Sequence, residues 1–123
     1  MLRNYKDLQV WQKAYQLCLE VYKATGEFPK HELYRITAQI RRAAVSIASN
    51  IAEGYGRKTT KEYIQFLYVA YGSICELETQ VLLSGDLSYL SSNEAKRLQD
   101  IIGEVERMLK ALINSLEKKS STP

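Results

Sequence analysis

Apolar residues recur along this chain at steps of three and four, the rhythm of one face of an α-helix. They do so in four long stretches separated by short turns. Leu8, Trp11, Ala14, Cys18 and Val21 predict a first helix over about 7–25, with Asp7 as its N-cap and Gly26 at its end. Phe28-Pro29 makes the turn. Leu33, Ile36, Ile40, Ala43, Ile47 and Ile51 predict a second helix over about 31–53, stopped by Gly54-Tyr55-Gly56. Thr59 and Glu62 have capping-box spacing, and Tyr63, Leu67, Ala70, Ile74, Leu77 and Val81 carry a third helix over 60–84, closed by Gly85. Ser91 and Glu94 repeat the capping box. Ala95, Leu98, Ile102, Val105, Leu109, Leu112 and Leu116 then give the most regular stripe, over 92–117, before a polar tail expected to fray.

Short turns between helices of similar length make neighbours antiparallel. The expected fold is therefore all-α: an antiparallel up-down-up-down four-helix bundle occupying 1–123 as a single domain. Trp11, Ile40, Ile47, Leu67, Ile74, Leu98, Val105 and Leu112 are expected to lie in its core.

The second helix carries two further stripes. Arg35, Gln39, Arg42, Ser46, Asn50 and Glu53 form a polar one without a lysine, and Arg41 is followed by the small residues Val45, Ala48 and Ala52. An ordinary solvent face is rich in Lys and Glu, whereas Arg, Ser and Asn suit directional hydrogen bonds and small residues allow close approach. Read against a merely exposed face, this composition points to protein contact, with Gln39, Arg42, Ser46, Ala48, Asn50, Ala52 and Glu53 as the candidate oligomer interface. Nine tyrosines against two phenylalanines add half-buried, amphipathic rings, which suit either the rim of a core or an interface.

Composition narrows the function classes. Hydrophobic residues at 46 % and charged residues at 25 % are those of a globular chain. No run approaches a membrane span, and the polar start Met1-Leu-Arg-Asn-Tyr-Lys has no signal-like apolar region, so a cytoplasmic, membrane-free protein is expected. Cys18 and Cys75, far apart in helical stripes, read as free thiols. The net charge of +3 is uneven: residues 1–61 hold 11 Lys/Arg against 5 Asp/Glu, and residues 62–123 hold 6 against 9. Such asymmetry suits either an anionic partner or pairing between helices and subunits.

No residue set looks catalytic. His31 is the single histidine, so the paired Glu-x-x-His sites of di-metal bundles cannot form. The two cysteines lack zinc-site spacing. Glu76 and Glu78, like Glu104 and Glu106, are two apart and point to different sides of a helix. Gly54-Tyr55-Gly56 follows a helix rather than a strand and is a poor phosphate loop. No metal, no cofactor and no enzymatic activity are expected.

The run from Gln39 through Arg41-Arg42-Ala43-Ala44-Val45-Ser46-Ile47-Ala48-Ser49-Asn50 to Gly54, followed by Tyr55-Gly56-Arg57, resembles the signature of the 23S ribosomal RNA intervening-sequence proteins. Asp7-Leu8-x-Val10-Trp11-Gln12-Lys13-Ala14, Glu62-Tyr63 through Tyr68, and Gly72-Ser73 through Gln80 match in the same order, so the likeness spans about residues 4–117. Ala48 stands where the family commonly has proline, which removes the expectation of a kink there. The resemblance implies a bacterial up-down bundle assembled as a ring-like homopentamer. A related branch serves diversity-generating retroelements, binding the reverse transcriptase and nucleic acid. It supplies no catalytic residues. RNA or DNA, and alternatively a reverse transcriptase bound by a pure interaction scaffold, are thus the partners to test. The candidate nucleic-acid footprint is Arg35, Arg41, Arg42, Arg57, Lys58 and Lys61, with Lys13 and Lys23 beside it and Tyr55 as a base-stacking ring.

Overall fold

The computed structural model describes residues 4–121. It contains four α-helices: α1 (Gln9–Thr25), α2 (Ile36–Tyr55), α3 (Thr60–Asp86) and α4 (Ser92–Ser121). Short 3-10 turns at Tyr5–Asp7 and Lys30–Glu32 precede α1 and α2. Each helix packs on its two neighbours in the order α1–α2–α3–α4–α1, the closed arrangement of an up-down bundle.

Ile40, Ile47, Leu67, Ile74, Leu98 and Val105 are buried as their spacing requires. Each such side chain contributes roughly 1.5–3 kcal/mol through removal from water. Trp11 and Leu112 are only half-buried, packed against the edge of the core. In α1 the core line runs through Val10, Ala14, Leu17 and Val21, so Cys18 lies one position off it and is half-buried. Cys75 is exposed, which corrects its placement on an apolar stripe. Both thiols are free.

Several helix ends differ from their expected places. Asp7 does not cap α1: its carboxylate accepts from the Asn4 amide at 3.4 Å and so closes the 3-10 turn, while Leu8 holds the N-cap position without a side-chain bond. The second helix begins at Ile36 rather than His31. No capping side chain precedes that earlier start, and Pro29 instead opens a 3-10 turn with bonds from Glu32 N–H to Pro29 and from Leu33 N–H to Lys30. Phe28 is buried against the Tyr89 ring, and the Tyr89 hydroxyl donates to Glu32 at 2.7 Å, which folds this connection over the bundle end and leaves Leu33 exposed.

α2 stops within the run Gly54-Tyr55-Gly56, at Tyr55 with Gly56 as its C-cap, and Gly54 itself lies in the last turn. A Cβ there would stand 2.9 Å from Phe66 Cβ and 3.0 Å from Tyr63 Cδ1, so glycine is what lets α2 and α3 close together. Gly85 likewise lies within α3, which runs on to Asp86; the left-handed residue of the following turn is Ser88, at φ 63°. α2 continues unbroken through Ala48, and α4 continues through Ser121, past the point where fraying was expected.

Candidate functional site

The strongest concentration of candidate residues is the turn between α2 and α3. The Gly56 amide reaches back to the Ala52 and Glu53 carbonyls at 3.3 and 3.2 Å, and the Arg57 amide to Gly54 at 3.1 Å. Thr59 then caps α3, its hydroxyl oxygen accepting from the Glu62 amide at 3.1 Å. The reciprocal half of the capping box differs: the Glu62 carboxylate accepts from the Thr59 hydroxyl at 3.0 Å. At Ser91 and Glu94 the full reciprocal pair forms, with bonds of 2.9 and 3.1 Å.

Arg57, Lys58 and Lys61 are exposed beside the free amides of α3's first turn. No ion pair joins Arg57 or Lys58 to Glu53 or Glu62 among the described residues. The Arg57 guanidinium instead lies 4.5 Å from the centre of the Phe66 ring. Tyr55 is half-buried and meets Tyr63 edge-on, with ring centres 6.0 Å apart. Burial, with the Tyr55 neighbour as a lesser cause, pushes the Tyr63 phenol up to about 12.

Antiparallel connectivity adds cations that their sequence positions do not suggest. The start of α1, the α2–α3 turn and the end of α4 share one end of the bundle. Lys6, in the 3-10 turn before α1, and Lys118 and Lys119, in the last turn of α4, therefore belong to the same end as Arg57, Lys58 and Lys61.

The other candidate arginines lie elsewhere. Arg35 opens α2 at the opposite end, about 30 Å away for a 20-residue helix. Arg41 is half-buried, donates from Nε to Thr25 Oγ1 at 2.8 Å and lies over the Tyr22 ring at 4.7 Å, so it ties α2 to α1. Arg42 is exposed on the α3 side of α2. Lys13 is engaged with Glu104 at 3.0 Å, across to α4. The proposed footprint is thus several separate places, of which only the α2–α3 turn gathers neighbouring cations.

The candidate interface residues also divide. Ser46 shares a 2.8 Å hydrogen bond with Ser73 of α3, and Asn50 donates to the Ser46 carbonyl and hydroxyl at 2.8 and 3.0 Å. Those two side chains serve the α2–α3 seam, while Gln39, Arg42 and Glu53 beside them are exposed. Ala48 and Ala52 lie on the opposite flank, lining an open groove of about 310 Å³ with Trp11, Tyr15, Cys18 and Val45. Trp11 and Tyr15 stack there with ring centres 5.1 Å apart, and burial pushes the Cys18 thiol up, keeping it protonated.

His31 is exposed, and no group of three or more His, Cys, Asp or Glu side chains among the described residues is placed to hold a metal. None of the described helices is long and apolar enough to cross a membrane.

The model of the 23S rRNA-intervening sequence protein family matches residues 6–111. The chain belongs to that family. No curated protein sequence matches it. Among solved structures it is similar to a protein of unknown function from the S23 ribosomal protein family of Bacteroides thetaiotaomicron VPI-5482, whose crystal structure was determined at 1.70 Å. The two share 19 % identity at a TM-score of 0.79, covering 85 % of this chain and 95 % of that one. At that identity the likeness establishes the four-helix fold alone.

Proposed function

We propose that this family member is a non-catalytic homo-oligomer, a pentameric ring, that holds a nucleic-acid backbone at the basic end of each bundle. The observation that carries the binding reading is the α2–α3 turn: three exposed cations, Arg57, Lys58 and Lys61, next to the amino end of a 27-residue helix whose first amides favour an anion. A few cations per subunit bind phosphate weakly and without sequence preference, and a ring multiplies such a site into useful avidity. Tyr55, held edge-on to Tyr63, offers its free face to a base at most, so backbone contact dominates. The exposed Gln39, Arg42 and Glu53 beside α3 and the Ala48–Ala52 flank beside α1 supply surfaces for assembly.

The test is binding of a structured RNA over a range of salt concentrations. Replacing Arg57 and Lys58 together with alanine should weaken binding at low salt and make its salt dependence shallower, because fewer counterions are released. An unchanged affinity and slope, with the oligomer intact, contradicts the binding reading. Capture of a protein partner that survives nuclease treatment, without any RNA binding, would favour the scaffold reading instead.

A further inference from the structure

The basic end of the bundle carries aromatic rings as well as cations, and the two are paired. The Arg57 guanidinium lies 4.5 Å from the centre of the Phe66 ring. α3 packs so closely on Gly54 that a Cβ there would stand 2.9 Å from Phe66 Cβ, which fixes where that ring projects. In the 3-10 turn before α1, the Lys6 ammonium lies 5.9 Å over the Tyr5 ring, and Tyr5 meets Trp11 edge-on at 5.2 Å. Tyr55 packs against Tyr63 with 87° between the ring planes. Tyr68, about two turns into α3, is half exposed, but its hydroxyl donates to Glu117 at 3.0 Å, which sets a negative charge beside it.

Among the described residues this end holds the cations Lys6, Arg57, Lys58, Lys61, Lys118 and Lys119. Its carboxylates are Asp7, Glu53, Glu62 and Glu117. Asp7 accepts from the Asn4 amide, Glu62 from the Thr59 hydroxyl and Glu117 from Tyr68, so three of the four are turned to donors of this chain. The balance is cationic. Unpaired strands are held by open aromatic faces on which successive bases stack. A duplex keeps its bases stacked on one another and presents phosphates, one charge per about 1.7 Å of its axis. A ring already roofed by a cation is a poor platform for a base and a good seat for that cation.

Resting on the binding reading above, we infer that the basic end takes the phosphate backbone of a duplex, RNA or DNA, in preference to an unpaired strand, with Phe66 as the positioning residue for Arg57. Phe66 acts only through Arg57: without the ring the guanidinium keeps its charge and loses its place. A guanidinium fork held in one geometry can meet two oxygens of one phosphate. A duplex repeats that phosphate in a fixed geometry, and a flexible single strand does not.

Affinity for an RNA duplex, a DNA duplex and an unstructured oligothymidylate of equal length, measured across salt concentrations, tests it. At least one duplex should bind more tightly than the single strand, and comparing the two duplexes tells which backbone is preferred. Phe66→Leu should weaken duplex binding about two- to five-fold with its salt slope unchanged, because no charge is lost. Arg57→Ala should weaken binding and also make the slope shallower. Phe66→Tyr, which keeps a ring, should restore most of the affinity, and Phe66→Leu should cost nothing further in an Arg57→Ala background. Should Phe66→Leu lose the helical circular-dichroism signal, Phe66→Tyr and the comparison of strands on the unmodified protein still decide. A single strand bound as tightly as both duplexes, or losses at Phe66 and Arg57 that simply add, overturns the inference while the binding reading stands. If none of the three probes binds, or replacing Arg57 and Lys58 together changes nothing, the binding reading itself fails.

Discussion

At the residue scale, glycine changes meaning with its surroundings. From the sequence, Gly54 is the first residue of a helix-stopping run, Gly54-Tyr55-Gly56. In the fold it is a buried contact point, with Phe66 and Tyr63 where a side chain would go. Alanine is the better helix former by about 1 kcal/mol, so in an open helix the substitution stabilises. At Gly54 the crowding reverses the sign: Gly54→Ala should destabilise the protein by about 1–3 kcal/mol, the usual cost of overpacking. Gly85 is the control. A Cβ there meets Ala95 Cβ at an ordinary 3.6 Å, so Gly85→Ala should be neutral or mildly stabilising. Urea denaturation of both variants checks the pair, and equal midpoints would show that α2 and α3 are not in such close contact. Nothing in the one-dimensional pattern separates these two glycines, because the difference lies in a neighbouring helix.

At the scale of elements, the four helices were legible because each buries one stripe, and a stripe leaves a period in the sequence. Both capping residues, Thr59 and Ser91, were legible for the same local reason. Less legible was which residue on a broad apolar surface faces the centre: Leu17, not Cys18, takes that place in α1, because position around the axis depends on two neighbours at once. The start of α2 was misplaced because Phe28, Glu32 and Tyr89 hold the preceding turn through contacts with a residue 57 positions away. The seam between α2 and α3 also carries a pH dependence. Tyr63 has its phenol raised from the ordinary 10.0 to about 12 by burial, so the folded state favours its neutral form. That contribution is fully present below the unfolded value and is lost as pH rises through the folded one. Stability should therefore fall between about pH 10 and 12, and Tyr63→Phe should reduce the fall. Thermal melts across that range read it directly, and identical pH profiles for the two proteins would contradict it.

For the whole molecule, the candidate site was legible only in part. Arg57, Lys58 and Lys61 are neighbours in sequence and remain so in space. Arg41 and Arg42 lie on α2 and Arg35 just before it, but they face two different flanks and its far end. Lys6, Lys118 and Lys119 could join the basic end only once the topology was known, since Lys6 lies 51 residues before Arg57 and Lys118 lies 57 residues after Lys61. α3 carries no cation of its own after Lys61, but Arg42 of α2 is exposed beside it and Arg57 lies over Phe66, so the charge imbalance between the two halves does not separate into two faces of the bundle. Assembly into a ring of identical subunits is what would multiply the basic end into a useful site, and the mass of the purified protein tests it most directly. Light scattering at micromolar concentration and moderate salt should give about 70 kDa, five times the 14.1 kDa chain. A particle of 14.1 kDa under those conditions would contradict the account.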